Sequence, residues 1–222
     1  MNAYRAILGK DLRIELRTLE SVPAMALFAI TTFIVFRYGL DREQLAGSLA
    51  AGVLLVTILF AALLAINRVF VAEREQGGFD SIRLAPVDGT ALYAAKVSAL
   101  LVYLFVLELI AVPVFGLFFL ESWSGLGPLC AVLALTDIGL AATGVLVSSI
   151  AVNSRARDLL GPLILLPLSV PLMIAAAGGA APLLELGGPD YGDFGRWLAV
   201  LALYDVVFGL IGYAVYDYLL ED

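Results

Sequence analysis

Three carboxylic acids lie inside otherwise apolar stretches of this 222-residue sequence: Glu108, Asp137 and Asp205. A charged side chain at the centre of a membrane-spanning helix costs about 2.5–3.5 kcal/mol on insertion scales, so an acid kept there is a candidate for function. One interpretation is a proton relay that uses these acids. The other is structural, with protonated acids hydrogen-bonded to neighbouring helices or facing a wet outer cavity. The apolar stretches contain no basic residue to pair with them.

Most catalytic chemistry is excluded by composition. Histidine is absent, which removes His-based metal sites, Ser-His catalysis and imidazole ligation of haem iron. The phosphate-binding pattern Gly-x-x-x-x-Gly-Lys-Ser/Thr fails at Gly9-Lys10, because Asp11 follows it and Tyr4 occupies the first glycine position. Cys130 is the single cysteine, so no internal disulfide can form. We therefore expect no catalytic residue, metal site or bound cofactor in this chain.

The composition predicts a membrane protein. Hydrophobic residues make up 62% of the sequence and the mean hydropathy is +0.99, whereas soluble domains are near half apolar. A helix needs about 20 apolar residues to cross a bilayer. Six stretches meet or approach that length, and we predict one all-α transmembrane domain over residues 1–222, with spans at residues 21–36, 45–66, 97–120, 127–152, 159–184 and 197–216.

The basic residues predict the orientation. Ten of the 13 Lys and Arg residues precede the first span or lie between spans two and three or four and five, and three lie on the other side. Because cytoplasmic loops carry the excess of Lys and Arg, we expect both termini in the cytoplasm. This orientation places Asp137 and Asp205 nearer the outer face. The net charge of −7 makes nucleic acid an improbable partner.

Residues 2–20 have the periodicity of an amphipathic helix. One stripe is apolar, and a basic face contains Lys10, Arg13 and Arg17; the stripe consists of Leu8, Leu12, Leu16 and Leu19. This pattern favours a helix in the membrane interface, with its leucines towards the lipid tails and its basic side towards the headgroups. A plain cytoplasmic tail is the alternative.

The longest polar stretch is the cytoplasmic segment, residues 67–96. It contains Phe79 and Ile82, which are three residues apart and would project together from a helix. Two apolar side chains in a polar segment indicate a partner surface, or they fold back onto the ends of the flanking spans. On the outer side, residues 177–196 are rich in Gly and Pro, and we expect them to dip partly into the bilayer.

Three motifs occur in an order that resembles the haem exporter protein B (CcmB) family, the membrane subunit of the cytochrome c maturation ABC transporter. The resemblance covers nearly the whole chain. Its motifs are Lys10-Asp11-Leu12-Arg13-x-Glu15-x-Arg17; Arg68-x-Phe70-x-x-Glu73-x-x-x-Gly77-x-Phe79-Asp80-x-Ile82-x-x-x-Pro86, followed by Lys96; and Arg157-Asp158-Leu159-Leu160-x-x-Leu163-x-Leu165-Leu166-Pro167-Leu168-x-x-Pro171-Leu172. Two departures are Asn67, where the pattern has an acid, and Glu108, which belongs to no motif of the family.

The resemblance implies an ABC-2-type permease fold, with an N-terminal interfacial helix and a cytoplasmic coupling helix between spans two and three. It also implies that the chain lies in the cell membrane of a prokaryote and works there as a homodimer. Its partners would be an ABC ATPase subunit, a haem-handling membrane protein and a periplasmic haem chaperone. The N-terminal element would contain Arg13, Glu15 and Arg17. The ATPase-docking residues would be Arg68, Phe70, Glu73, Gly77, Phe79, Asp80, Ile82 and Pro86.

The function that the resemblance implies is coupling of ATP hydrolysis, in the partner subunit, to haem export or to release of the haem-loaded chaperone. An ABC-2-type exporter of another compound would have the same fold. A proton-coupled carrier that uses Glu108, Asp137 and Asp205 is an alternative of a different class, since it needs no ATPase.

Overall fold

The computed structural model describes residues 3–40, 44–69, 88–151 and 157–221. Within these ranges the chain is helical and contains no β-strand. The described residues form seven α-helices and one 3₁₀ turn, Ala181–Leu184. The helices are α1 (Ala3–Thr18), α2 (Ser21–Gly39), α3 (Gly47–Ile66), α4 (Gly89–Phe119), α5 (Leu126–Ala151), α6 (Arg157–Ala180) and α7 (Phe194–Glu221).

Six of these helices, α2 to α7, are long and apolar enough to cross a membrane. This confirms the six predicted spans and the all-α membrane class. Helix α4 begins at Gly89, eight residues before the predicted span starts at residue 97. The Asp88 side chain caps this helix by accepting a hydrogen bond from the Thr90 backbone N–H, at 3.1 Å. Residues 89–96 of the cytoplasmic segment are therefore helical.

Helix α5 is the centre of the bundle and packs against α3, α4, α6 and α7. Small residues allow these close approaches. A Cβ at Gly144 would lie 2.6 Å from Ile66 of α3, and one at Gly139 would lie 2.7 Å from Leu172 of α6. Neighbouring helices in membranes come close where such small residues meet. The glycines of α5 therefore allow its close packing against α3 and α6.

Helix α2 packs on the C-terminal half of α4. Phe33 of α2 contacts Phe115 and Phe119 of α4, with ring centroids 5.5 and 6.2 Å apart. At the C-terminal end of α2, the Arg37 Nη1 donates a hydrogen bond to the backbone carbonyl of Phe118, at 3.0 Å. The C-terminal ends of α2 and α4 are therefore joined by both apolar and polar contacts.

The outer segment returns to the bundle through its 3₁₀ turn. Leu183 and Leu184 are buried in the core, and the turn packs against α3 and α6. The backbone of Leu183 also lies directly against Gly125, at the start of α5. This part of the outer segment is thus covered by protein, whereas Leu186 and Tyr191 beyond it are exposed.

Candidate functional site

The structure describes the two ends of the cytoplasmic segment. Arg68 and Val69 follow α3, and Asp88 precedes α4. The other predicted docking residues lie outside the described residues: Phe70, Glu73, Gly77, Phe79, Asp80, Ile82 and Pro86. The site that can be built from geometry is therefore the base of this segment, where α1, α3 and α4 meet.

Lys96 is the central residue of this base. Its ammonium lies 3.0 Å from Asp11 Oδ2 of α1, and it donates a hydrogen bond to the Val69 carbonyl at 3.0 Å. The residue is only 2% exposed. A lysine is almost never buried to this degree unless it is paired. Lys96 of α4 therefore connects Val69, which follows α3, to Asp11 of α1.

Helix α1 is buried most deeply at two acidic residues, whereas its leucine stripe is only partly covered by the protein. Its buried residues are Asp11 and Glu15, whereas Leu16 is 74% exposed. Tyr103 of α4 donates a hydrogen bond to the Asp11 carbonyl at 3.2 Å. Sequence reasoning assigned no role to Asp11. The four-residue spacing of the two acids was the available signal, because residues four apart share one face of a helix.

Glu15 caps the first span from the preceding helix. Its Oε1 accepts hydrogen bonds from the backbone N–H groups of Ser21 and Val22, at 2.9 and 2.8 Å. These are among the N–H groups that a helix start leaves without an internal partner. Between the two helices, Leu19 adopts a φ of 50°, which is uncommon for a residue other than glycine. The carboxylate therefore fixes a tight and strained corner.

The other predicted basic residues lie on the surface. Arg68 forms an exposed ion pair with Glu20, at 2.8 Å. Arg13 and Arg17 are exposed on α1. Exposed ion pairs contribute little to stability, with a median of about 0–1 kcal/mol. Of the three residues predicted for the N-terminal element, Glu15 is buried, whereas Arg13 and Arg17 are exposed.

We expect Glu15→Ala to destabilise the protein by about 1–2 kcal/mol, because two buried N–H groups at the start of α2 would lose their acceptor. The matched control is Glu20→Ala, which removes an exposed carboxylate from the same corner and should change stability by less than about 1 kcal/mol. Equilibrium unfolding in mixed micelles measures both values. Equal effects of the two substitutions would contradict the capping role.

The three intramembrane acids do not lie together. Glu108 and Asp137 are within hydrogen-bonding reach of each other. Glu108 lies eleven residues before the outer end of α4 at Phe119, and Asp137 eleven residues after the start of α5 at Leu126. At 1.5 Å per residue both are about 16 Å from the outer helix ends. The two acids are thus at the same level along the bundle. The expectation that Asp137 and Asp205 lie nearer the outer face stays a prediction.

Asp205 packs on a different side of α5. Its Oδ1 would lie 2.8 Å from a Cβ at Gly139. Positions 137 and 139 of a helix point about 200° apart, because each residue turns it by about 100°. Asp205 therefore approaches α5 on the side opposite to the carboxyl pair. Within the described ranges, no group of three or more Cys, Asp or Glu residues is placed to hold a metal ion.

Comparison with known proteins gives one consistent result. The sequence model of the CcmB protein family matches residues 2–216. Heme exporter protein B of Bradyrhizobium diazoefficiens is 28% identical over 213 residues, which cover 96% of this chain and 94% of the relative. The protein of the same name from Rhodobacter capsulatus is 30% identical over 175 residues, covering 78% and 80%. Because the family match includes α1 and all six spans, the chain belongs to the CcmB protein family.

Proposed function

We propose that this chain is the permease subunit of an ABC transporter complex for cytochrome c maturation. A separate ABC ATPase hydrolyses ATP, and its motion is coupled to haem export or to release of a haem-loaded chaperone. The relatives named Heme exporter protein B support this assignment. The complex would contain two copies of this chain, a haem-handling membrane protein and a periplasmic haem chaperone. Both termini would lie in the cytoplasm.

The observation that carries the proposal is the buried contact of Lys96 with Asp11 and with the Val69 carbonyl. A subunit that receives motion needs a stiff connection between the receiving segment and the spans. Val69 is the last described residue before residues 70–87, and Lys96 links it to α1 and α4. Since an ion pair is stronger in a poorly solvated site, this link resists separation. A displacement of the segment would thus move α1, α3 and α4 together.

The carrier alternative is less favoured by the geometry. A proton relay through the three acids requires them to follow one another along a path. Glu108 and Asp137 are neighbours, but Asp205 approaches α5 near Gly139, on the other side of that helix. The helix itself separates the two positions. The acids therefore do not support a single route across the membrane.

The test is the double substitution Phe79→Asp with Ile82→Asp. We expect ATPase co-purification to fall by at least about tenfold, because two desolvated apolar contacts would be replaced by charges. The quantity measured is the ratio of ATPase to tagged permease after purification from native membranes. The matched control is Leu186→Asp with Tyr191→Asp, which adds the same charges at exposed positions of the outer segment. Unchanged co-purification with the first double variant would reject the docking role.

A further inference from the structure

A lateral cavity of about 450 Å³ lies between α4 and α5. Its walls are mostly apolar, and two carboxylic acids, Glu108 and Asp137, form its polar part. Phe105 and Leu109 at its rim are 59% and 61% exposed, so the cavity opens towards the side of the bundle. In a membrane-spanning protein this side faces lipid or another membrane component. The cavity is therefore accessible from within the bilayer.

The two acids have hydrogen-bonding capacity that the described part of the chain does not use. Asp137 is 4% exposed, and its Oδ1 has no hydrogen-bond partner among the described residues. The same holds for Glu108 Oε1. Buried polar atoms in native proteins nearly always have a partner, so two such atoms at one cavity indicate a missing donor. Asp205 has unpartnered oxygens as well, but it does not line this cavity.

The chemistry of the cavity walls limits which kind of donor group can bind there. Repulsion between like charges so close disfavours the form in which both carboxyl groups are ionised, so a proton lies between them when either one is charged. In that form the pair offers a ligand one negative charge and two acceptor oxygens, Glu108 Oε1 and Asp137 Oδ1. A carboxylate ligand, such as a haem propionate, has the same sign of charge and no proton to donate. A protonated amine supplies both the opposite charge and several donors.

We propose that this cavity binds a lipid-soluble amine, with its ammonium group between Glu108 and Asp137 and its apolar body along α4 and α5. The apolar walls match the body, and the free oxygens Oε1 and Oδ1 match the donors. Entry is through the lateral opening beside Phe105 and Leu109. This site does not depend on the proposed role in haem export and would be present in the isolated chain.

Cys130 provides a reporter for occupancy. It is the single cysteine of the sequence, it is exposed, and it lines the same cavity. It precedes Asp137 by seven residues, which places it about 10 Å nearer the outer end of α5. An alkyl chain that extends outward from the acids therefore passes this thiol. A bound amine should protect it from alkylation.

The experiment measures the rate of Cys130 alkylation by N-ethylmaleimide in the full chain, reconstituted in lipid nanodiscs, with dodecylamine as the probe. At a concentration about ten times its dissociation constant, dodecylamine should slow the reaction about tenfold. Dodecanol and dodecanoate, which have the same chain without the ammonium, should have little effect. Equal protection by dodecanol would overturn the proposal in favour of a groove for lipid chains, and no protection by dodecylamine would also overturn it.

The variant Glu108→Gln with Asp137→Asn should lose the protection by dodecylamine. The matched control is Asp205→Asn, which removes the intramembrane acid outside the cavity and should retain it. Alkylation rates are compared with and without probe in each variant, so altered thiol reactivity cancels. If the double variant does not fold, Glu108→Gln alone replaces it, since Glu108 is only partly buried. Protection that persists in the folded acid variants would overturn the proposal.

Discussion

Lys96→Met should destabilise the protein by about 3–5 kcal/mol, because it leaves a buried carboxylate without its main partner. The Asp11 and Lys96 side chains are 9% and 2% exposed, with 3.0 Å between ammonium and carboxylate. Methionine is also unbranched and flexible, so the change mostly removes charge and hydrogen bonding. The substitution also removes the donor to the Val69 carbonyl. Equilibrium unfolding in mixed micelles measures the loss.

Two further variants make this prediction specific. Lys10→Met is the matched control, because Lys10 also contacts Asp11, at 3.5 Å, but its side chain is 45% exposed. We expect it to cost less than about 1 kcal/mol. Adding Asp11→Asn to Lys96→Met should restore part of the lost stability, since the unpaired charge is removed. A Lys96→Met protein as stable as the Lys10→Met protein would show that the buried pair is not structural.

Gly125→Ala should destabilise the outer side by about 3 kcal/mol, near the upper end of the usual effect of overpacking. A Cβ at this position would overlap the backbone carbonyl of Leu183 in the outer 3₁₀ turn. A flexible side chain could move aside, but this carbonyl belongs to a turn whose Leu183 and Leu184 side chains are buried. We expect the turn to be displaced from α3. The displacement would be measured as faster cleavage of the outer segment by a protease added to intact proteoliposomes.

Gly127→Ala is the matched control for this substitution. It lies two residues further along, and nothing in the described part of the chain lies within 4 Å of a Cβ there. The same methyl group should therefore be tolerated without faster proteolysis. Equal sensitivity of the two variants would contradict the close contact with the turn.

The number and type of the membrane-spanning helices could be predicted because the signal is local. A continuous apolar stretch of about 20 residues is sufficient to identify each span. The start of α4 was missed because a lysine is usually taken as the end of such a stretch. Lys96 is buried inside this helix beside Asp11, which is far away in sequence. A contact between distant segments has no local signal.

The candidate site was predictable only in part. The sequence identified Glu108, Asp137 and Asp205 as unusual, but it gave no means to pair them. Glu108 lies eleven residues before the end of α4, and Asp137 lies eleven residues after the start of α5. Because one short connection joins these two helix ends, the equal depth of the two acids could have been inferred. That they face each other, whereas Asp205 does not join them, depends on helix rotation. Rotation is set by packing between spans, which no local pattern contains.

The contacts at the two ends of α2 have a consequence for how movement is transmitted along this helix. Glu15 of α1 accepts hydrogen bonds at its N-terminal end, and Arg37 at its C-terminal end donates a hydrogen bond to the Phe118 carbonyl of α4. Because both ends are attached, α2 is not free to tilt independently of its neighbours. A tilt of α1 should therefore be transmitted mechanically to the last turn of α4, at the opposite end of the bundle, without any molecule passing between the helices.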